Sequence, residues 1–236
     1  MSISTRGFCF VLMTFLASSF LVKAEEKAFV ADKATVELWN FDADRGVEAV
    51  NDVPSGTSFA IKSSAETPLG WTGGKFGGAL HFQGKARLAA NSVAIPLERA
   101  VTVEAWIKVD ESGSGARMGI LQYMIYRKSG FRLEISAKRH LVWSVQAEGR
   151  ELSVASKAFI YPGDWIHVAG TYDGESLRVY VNGDLSGEVS ASNGNIAPAT
   201  AYLLVGYADG AEQPYFCGLI DAIRISNVAR KEFLKP

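Results

Sequence analysis

The sequence predicts an all-β domain, and two features carry the prediction. Roughly 12 to 14 short runs either alternate polar and apolar residues or are continuously apolar, with turn residues between them. Helical apolar spacing is confined to Asn227–Phe233, which is compatible with one helical turn. Many short strands joined by turns are typical of a sandwich or barrel. A chain of 236 residues fits one large domain of this kind.

The clearest strands lie at Ile166–Tyr172 and Leu177–Val181, on either side of Asp173-Gly174. The second run ends at Asn182-Gly183. Asp-Gly and Asn-Gly favour hairpin turns because both residues tolerate a positive φ. This stretch therefore predicts three consecutive antiparallel strands.

The remaining elements follow from alternation and turn signals. Thr35–Asp42 predicts the first strand, and Ala43–Gly78 predicts a long loop-rich segment with short apolar pieces. Ala79–Phe82 and Ala86–Ala89 predict a hairpin around Gln83–Lys85. Val101–Val109 alternates over its whole length, so we expect one apolar face in the core and one face in solvent. Later strands are predicted at Gly119–Arg127, Phe131–Ser136, Leu141–Gln146, Glu151–Ala155, Tyr202–Gly206 and Phe216–Ile225.

The N-terminus has the three parts of a secretory signal peptide. Arg6 supplies the positive charge, Gly7–Val22 is apolar, and small residues precede a cleavage position before Glu25. The alternative is an uncleaved anchor helix, although the apolar run is shorter than the roughly 20 residues of a membrane span. We expect a secreted, periplasmic or extracellular protein without a transmembrane span after cleavage. The predicted signal peptide, polar leader and β-domain are residues 1–24, 25–34 and 35–236.

Charge and cysteine content narrow the possible partners. Cleavage would remove Arg6 and Lys23, leaving 22 basic and 25 acidic residues and a net charge of −3. Without a strong basic cluster, nucleic acid is not an expected partner. Cys217 would be the only cysteine, so an internal disulfide is excluded and a small core residue is predicted.

Four blocks resemble, in order, the laminin-G-like domain of the concanavalin A-like lectin/glucanase superfamily. They are Lys75–Gly84 (KFGGALHFQG), Val101–Trp106 (VTVEAW), Asp164–Gly174 (DWIHVAGTYDG) with Leu177–Gly183, and Gly218–Ile225 (GLIDAIRI). The resemblance implies a jelly-roll β-sandwich of two antiparallel sheets whose first and last strands are neighbours. Members of this superfamily bind sugars, bind proteins, hydrolyse polysaccharides or serve as accessory domains, so the fold does not select a function.

The sequence lacks the carboxylate pair that glycoside hydrolysis requires. Glu104 is the nearest candidate, but Thr102 and Trp106 occupy the positions where a second carboxylate would share its face. No serine-nucleophile elbow or HExxH metal motif occurs, and the three histidines lie in separate segments. We therefore predict a non-catalytic protein, with a hydrolase of unrecognised active site as an alternative.

Calcium is the metal that the acidic residues favour, because Ca²⁺ binds carboxylate and carbonyl oxygens. Asp42 follows the first strand and Asp221 lies in the last, so neighbouring strands would bring them together, with Asp52 as a third ligand. The resemblance also implies a structural calcium near these two strands. Ala43 and Ala222 depart from the family, which often has Glu there. The alternative is that the aspartates accept only backbone hydrogen bonds.

A sugar site needs an aromatic surface flanked by hydrogen-bonding groups, since sugar rings have apolar faces and hydroxylated edges. We predict a glycan or a glycosylated surface as the ligand, with a protein-binding adhesion module as the alternative. Candidates in predicted loops are Trp71, Tyr207, Asp209 and Tyr215. Candidates on polar strand faces are Trp106, Arg132, Glu134 and Tyr180.

Overall fold

The computed structural model describes residues 28–42, 46–113, 115–125, 128–191, 194–196, 199–210 and 212–235. The predicted signal peptide lies outside these residues. None of the described residues forms a helix long and apolar enough to cross a membrane. The described part contains strands and one 3-10 turn at Glu111–Gly113, which confirms the all-β prediction.

Sixteen strands are present in the described part of the chain. In order they are β1 (Thr35–Trp39), β2 (Glu48–Ala49), β3 (Phe59–Ala60), β4 (Leu69–Gly73), β5 (Gly78–Gln83), β6 (Leu88–Val93), β7 (Val101–Val109), β8 (Met118–Ile125), β9 (Ser129–Ile135), β10 (His140–Ala147), β11 (Arg150–Phe159), β12 (Ile166–Tyr172), β13 (Ser176–Val181), β14 (Asp184–Ser190), β15 (Ala201–Val205) and β16 (Cys217–Ser226).

The strands form two large antiparallel sheets and a small ribbon. The eight-stranded sheet runs β14-β13-β12-β7-β16-β5-β4, with β1 paired to β16. The six-stranded sheet runs β11-β10-β9-β8-β15-β6, and β2 pairs with β3. The expected contact between the first and last strands is confirmed, since Trp39 pairs with Ile223 and Leu38 with Arg224.

One continuous core fills the space between the two large sheets. From the eight-stranded sheet, alternate residues of β7 enter it, among them Val103, Ala105 and Ile107. From the six-stranded sheet, Phe131 and Trp143 face them and are fully buried. Successive side chains of a strand point to opposite faces of the sheet, so every second residue of these strands enters the core.

The predicted hairpin of Ala79–Phe82 with Ala86–Ala89 is wrong. β5 pairs with β4 and β16 in one sheet, whereas β6 pairs with β15 in the other. Gly84 lies in the connection with φ +76°, where the chain leaves the first sheet. A short apolar run on each side of a glycine signals two strands but does not say which sheet each one joins.

The terminal segments cover the outer face of the eight-stranded sheet, which explains why β7 is buried on both faces. Phe29 and Phe233 pack against the ring of His167 at centroid distances of 5.9 and 5.6 Å. Arg230 holds the two segments together through both oxygens of Asp32, at 2.8 and 2.9 Å. The segment after β16 forms no helical turn, contrary to expectation.

At Gly170, the packing between the two sheets leaves no room for a side chain. A Cβ there would overlap the indole ring of Trp143, whereas a Cβ at Gly70 would meet nothing within 4 Å. Overpacking of a core costs about 1–3 kcal/mol. We expect Gly170→Ala to lower the free energy of unfolding by about that amount in urea titrations. Gly70→Ala is the matched control and should be neutral; equal stability of both variants would contradict this packing.

Candidate functional site

Asp221 lies at an irregular point of β16, between the residues that pair with β7 on either side. The pairing register with β7 shifts between Ile220 and Ile223, and Asp221 lies within this irregularity. Its Oδ2 accepts hydrogen bonds from the backbone N–H groups of Lys75 and Phe76, at 2.5 and 2.8 Å. These two residues form the turn between β4 and β5, so the last strand is tied to this turn by a carboxylate.

Asp221 is buried, and only one of its two carboxylate oxygens accepts hydrogen bonds from the described part of the chain. Its Oδ1 is buried and has no hydrogen-bond partner among the described residues. The pKa of Asp221 is raised to about 7, mainly because burial penalises the charged carboxylate and partly because Asp42 lies nearby. A Cβ at Gly74 would lie 2.5 Å from Asp221 Oδ2, and a Cβ at Gly78 would overlap the carbonyl oxygen of Phe41. The glycines thus let the backbone approach both aspartates closely.

Asp52, the third predicted calcium ligand, lies in a different setting. It is exposed, and its Oδ2 accepts from the backbone and side-chain N–H groups of Asn40, at 3.0 and 3.3 Å. Among the described residues, no three Asp, Glu, His or Cys side chains form a group that could hold a metal. A cation between Asp42 and Asp221 would therefore need backbone carbonyls as well.

Two of the predicted sugar-site residues, Trp106 and Tyr180, are buried, and a third, Trp71, lies apart from the others. Trp106 is 1% exposed and packs with Leu38 and Ala222 under the terminal segment. Tyr180 is also buried, with its ring 4.6 Å from that of Phe233. Trp71 lies in β4 and not in a loop, is half-buried, and donates its indole N–H to the carbonyl of Gly46 at 3.0 Å.

The other predicted residues come together beside β15. Tyr207 and Tyr215 form an isolated β-bridge, with ring centroids 4.7 Å apart. The guanidinium of Arg87 lies 4.8 Å from the centre of the Tyr207 ring and donates to the hydroxyl of Tyr215 at 3.3 Å. Two tyrosines and one arginine therefore form a single group in mutual contact at this surface.

A cleft of about 390 Å³ opens next to this group, which we call the tyrosine cleft. Its lining residues are Arg87, Tyr202, Leu204, Tyr207 and Asp209. Tyr202 is 61% exposed, so its ring is the accessible aromatic surface of the cleft. Tyr202 was not among the residues predicted for the site. The alternation of Ala201–Val205 is a signal for it, because it turns Tyr202 and Leu204 away from the core.

A polar network on the outer face of the six-stranded sheet fixes Asp209. Gln122 donates to Asp209 Oδ2 at 2.6 Å, and its own carbonyl accepts from the backbone N–H of Asp209 at 2.9 Å. Arg117 donates to the Asp209 carbonyl at 3.4 Å and to Glu134 at 2.6 Å. Arg132, also predicted from its polar strand face, lies 3.1 Å from Glu134. The cleft is thus anchored to the central strands.

A second cavity, of about 520 Å³, has Tyr215 among its lining residues. Arg117, Met118, Ser112 and Cys217 are among its lining residues. Cys217 is half-buried and packs against the core, and its Sγ lies 3.1 Å from Ser112 Oγ. Tyr215 lines this second cavity, whereas the more exposed ring of Tyr202 lines the tyrosine cleft.

Glu104 is fully buried on the outer face of β7 and has partners on both oxygens. Its Oε1 accepts from Arg224 Nε at 2.8 Å, and its Oε2 lies 3.1 Å from His167 Nε2. Its role in the structure is to pair with these two groups beneath the terminal segments.

Comparison with known proteins establishes the family. A laminin G family model, described as the concanavalin A-like lectin/glucanases superfamily, matches residues 82–232. The chain belongs to this superfamily, which confirms the resemblance of the four sequence blocks. No curated protein matches the sequence.

Solved structures share the fold at low sequence identity. The binding domain of Paraclostridial Mosquitocidal Protein 1 has a TM-score of 0.61 and 13% identity; the match covers 84% of this chain but only 49% of that one. Domain 4 of AbnA, a GH43 extracellular arabinanase from Geobacillus stearothermophilus in complex with arabinotriose, has a TM-score of 0.56 and 17% identity, covering 86% and 95%. The receptor-binding domain of botulinum neurotoxin mosaic serotype C/D has a TM-score of 0.59 and 14% identity; the match covers 84% of this chain and 48% of that one.

The Gln122–Asp209 pair generates a test of how the cleft is anchored. Gln122→Glu would place a second carboxylate against Asp209 Oδ2, replacing a hydrogen bond to a charged group that contributes about 1.5–3 kcal/mol. We expect a lower melting temperature at pH 8, because the hydrogen bond is lost and the two carboxylates repel each other. Gln83→Glu, at an exposed position, is the control; the same melting temperature in both variants at pH 8 would contradict the anchoring.

Proposed function

We propose that this chain is a non-catalytic, lectin-like module that binds carbohydrate in the tyrosine cleft. The observation that carries the proposal is the exposed ring of Tyr202 beside the charged groups of Arg87 and Asp209. Sugar C–H faces pack on aromatic rings, and sugar hydroxyls bond to charged groups at the rim. Small-molecule sites combine an apolar surface with a few polar groups in this way.

Preorganisation supports the proposal. Arg87 is held over Tyr207, and Asp209 is bonded to Gln122, so the polar rim is ordered before a ligand arrives. Arg87 directly precedes β6, and Asp209 follows the Tyr207–Tyr215 bridge in the connection between β15 and β16. A site that is already ordered loses less conformational entropy on binding.

The structural neighbours are consistent with a binding role. One of them was solved in complex with arabinotriose, and two are binding domains of toxins. Because their identity to this chain is below 20%, they support the fold and not a particular sugar. A neutral pentose or hexose oligosaccharide is the ligand class that the cleft favours, since Arg87 and Asp209 carry opposite charges.

The non-catalytic part of the proposal rests on the groups in the cleft. Asp209 is the one carboxylate among its lining residues, and that carboxylate is engaged by Gln122. Glycoside hydrolysis needs two carboxylates about 5–10 Å apart across the sugar bond. A protein-binding adhesion module is the second candidate, because an exposed tyrosine beside an arginine also suits a protein interface.

Removing the ring of Tyr202 tests the sugar site. An aromatic contact of up to about 1.5 kcal/mol corresponds to roughly tenfold in affinity. We expect Tyr202→Ala to weaken glycan binding about tenfold and Tyr202→Phe to retain most of it. A glycan array would choose the ligand, and affinity electrophoresis in arabinan or the selected polymer would measure it.

Trp71→Ala is the matched control, because Trp71 lies outside the cleft. It should bind like the unmodified chain. Absence of binding to any glycan on the array would sink the proposal, as would an unchanged affinity of Tyr202→Ala. Release of reducing ends from the bound polymer would show that the chain is an enzyme.

A structural Ca²⁺ at Asp42 and Asp221 is a second part of the proposal. The unpartnered Oδ1 of Asp221 and the two glycines that bring backbone close to the site fit a cation ligated by carboxylates and carbonyls. Bound calcium would hold β16, the β4–β5 turn and the end of β1 together. Export of the mature chain is proposed on the N-terminal sequence alone.

Thermal melting in calcium and in EDTA tests this site. At 100 times its dissociation constant, an ion that binds only the folded state adds about 2.7 kcal/mol of stability. We expect calcium to raise the melting temperature of the unmodified chain and not that of Asp221→Asn. Asp52→Asn is the control and should keep the calcium response. The same midpoint in calcium and EDTA for the unmodified chain would refute the metal.

A further inference from the structure

A second group of exposed aromatic rings lies at the opposite edge of the six-stranded sheet. It consists of Arg139, His140, Phe159 and Tyr161, and we call it the β11 platform. Phe159 is 49% exposed and Tyr161 is 56% exposed. Large apolar side chains are usually buried. A group of them exposed together is typical of an interaction site.

The rings and the guanidinium of the β11 platform contact one another. The rings of Phe159 and Tyr161 are 6.0 Å apart, and those of His140 and Phe159 are 4.6 Å apart. The guanidinium of Arg139 lies 5.6 Å from the centre of the Tyr161 ring. The result is a continuous aromatic surface with a cation at its margin.

Strand pairing makes the platform rigid. His140 pairs with Phe159 across β10 and β11, and the backbone N–H of Ile160 donates to the carbonyl of Arg139 at 2.8 Å. His140 Nδ1 lies 2.7 Å from the carbonyl oxygen of Ser156, which orients the imidazole. Ile160 is buried and anchors the segment between the two exposed rings. The platform is therefore ordered before any ligand binds.

The platform is basic on a chain that is slightly acidic. Residues 136–142 and 155–165 carry three formal positive charges, from Lys138, Arg139 and Lys157, and one negative charge, from Asp164. Both lysines are exposed. The whole chain has a formal net charge of −1. This local excess of two positive charges beside exposed rings favours an anionic ligand.

The β11 platform is separate from the tyrosine cleft. Tyr202 lies in β15 and Phe159 in β11, and β8, β9 and β10 lie between these strands. Four strand spacings of about 4.8 Å separate them by roughly 19 Å across the sheet. No residue of the platform lines the tyrosine cleft, so the two sites can be changed independently.

We propose that the β11 platform is a second carbohydrate site, specific for an acidic polysaccharide that carries carboxylate or sulfate groups. The exposed rings would stack on sugar faces, and the surrounding cations would neutralise the acidic groups. A rigid platform that carries a phenol, an imidazole and a guanidinium suits a polar polymer better than the acyl region of a bilayer. The site does not depend on the proposed function of the tyrosine cleft.

Affinity electrophoresis with matched charged and neutral polymers tests the proposal. The probes are polygalacturonate and its methyl ester, together with dextran sulfate and dextran. We expect the unmodified chain to bind at least one anionic polymer about tenfold more tightly than its neutral counterpart, with affinity falling as salt is raised. Arg139→Gln and Tyr161→Ala should each weaken binding to the anionic polymer about tenfold.

The control for this experiment is Tyr202→Ala, which should bind the anionic polymers unchanged. Because Arg139 and Tyr161 lie at the surface, thermal melting should show all variants folded. Equal retardation by charged and neutral polymers would overturn the proposal, as would no retardation or unchanged affinity of both platform variants. Binding to phosphatidylglycerol vesicles or single-stranded DNA in place of both anionic polymers would also overturn it.

Discussion

The pairing of β16 is the interaction on which the rest of the structure depends. This last strand lies inside the eight-stranded sheet, between β7 and β5, and also pairs with β1. The sheet therefore cannot be completed until the C-terminal strand is in place, and strands far apart in sequence must meet for the fold to form. The same pairing brings Asp221 to the β4–β5 turn, so the proposed calcium site is a consequence of strand order.

The two sheets have different roles. The outer face of the eight-stranded sheet is closed by the terminal segments, with the buried group of Glu104, His167 and Arg224 beneath them. The outer face of the six-stranded sheet keeps a polar network, and exposed aromatic rings lie on β11 at one edge and on β15 next to the other edge strand. Ligand binding is therefore proposed on the six-stranded sheet, where polar groups are already paired and need little reorganisation.

Much of the fold could be predicted, because alternation and turn residues are local signals. Ile166–Tyr172 and the turns after it lie where the sequence indicates. The sequence does not encode locally which sheet a strand joins, which is why β5 and β6 were paired wrongly. The same limit applies to the candidate site. Tyr207, Asp209 and Tyr215 were predicted from their loops and lie near one another, whereas Trp106 is buried by terminal segments that no strand pattern reveals.

The central claim is that carbohydrate binds beside β15. Backbone amide chemical shifts of the ¹⁵N-labelled chain, titrated with the neutral oligosaccharide selected on the array, test it most directly. We expect the largest changes at Tyr202, Leu204 and Asp209, and at Arg87 on the neighbouring segment. Changes confined to the eight-stranded sheet or to the β4–β5 turn would contradict it.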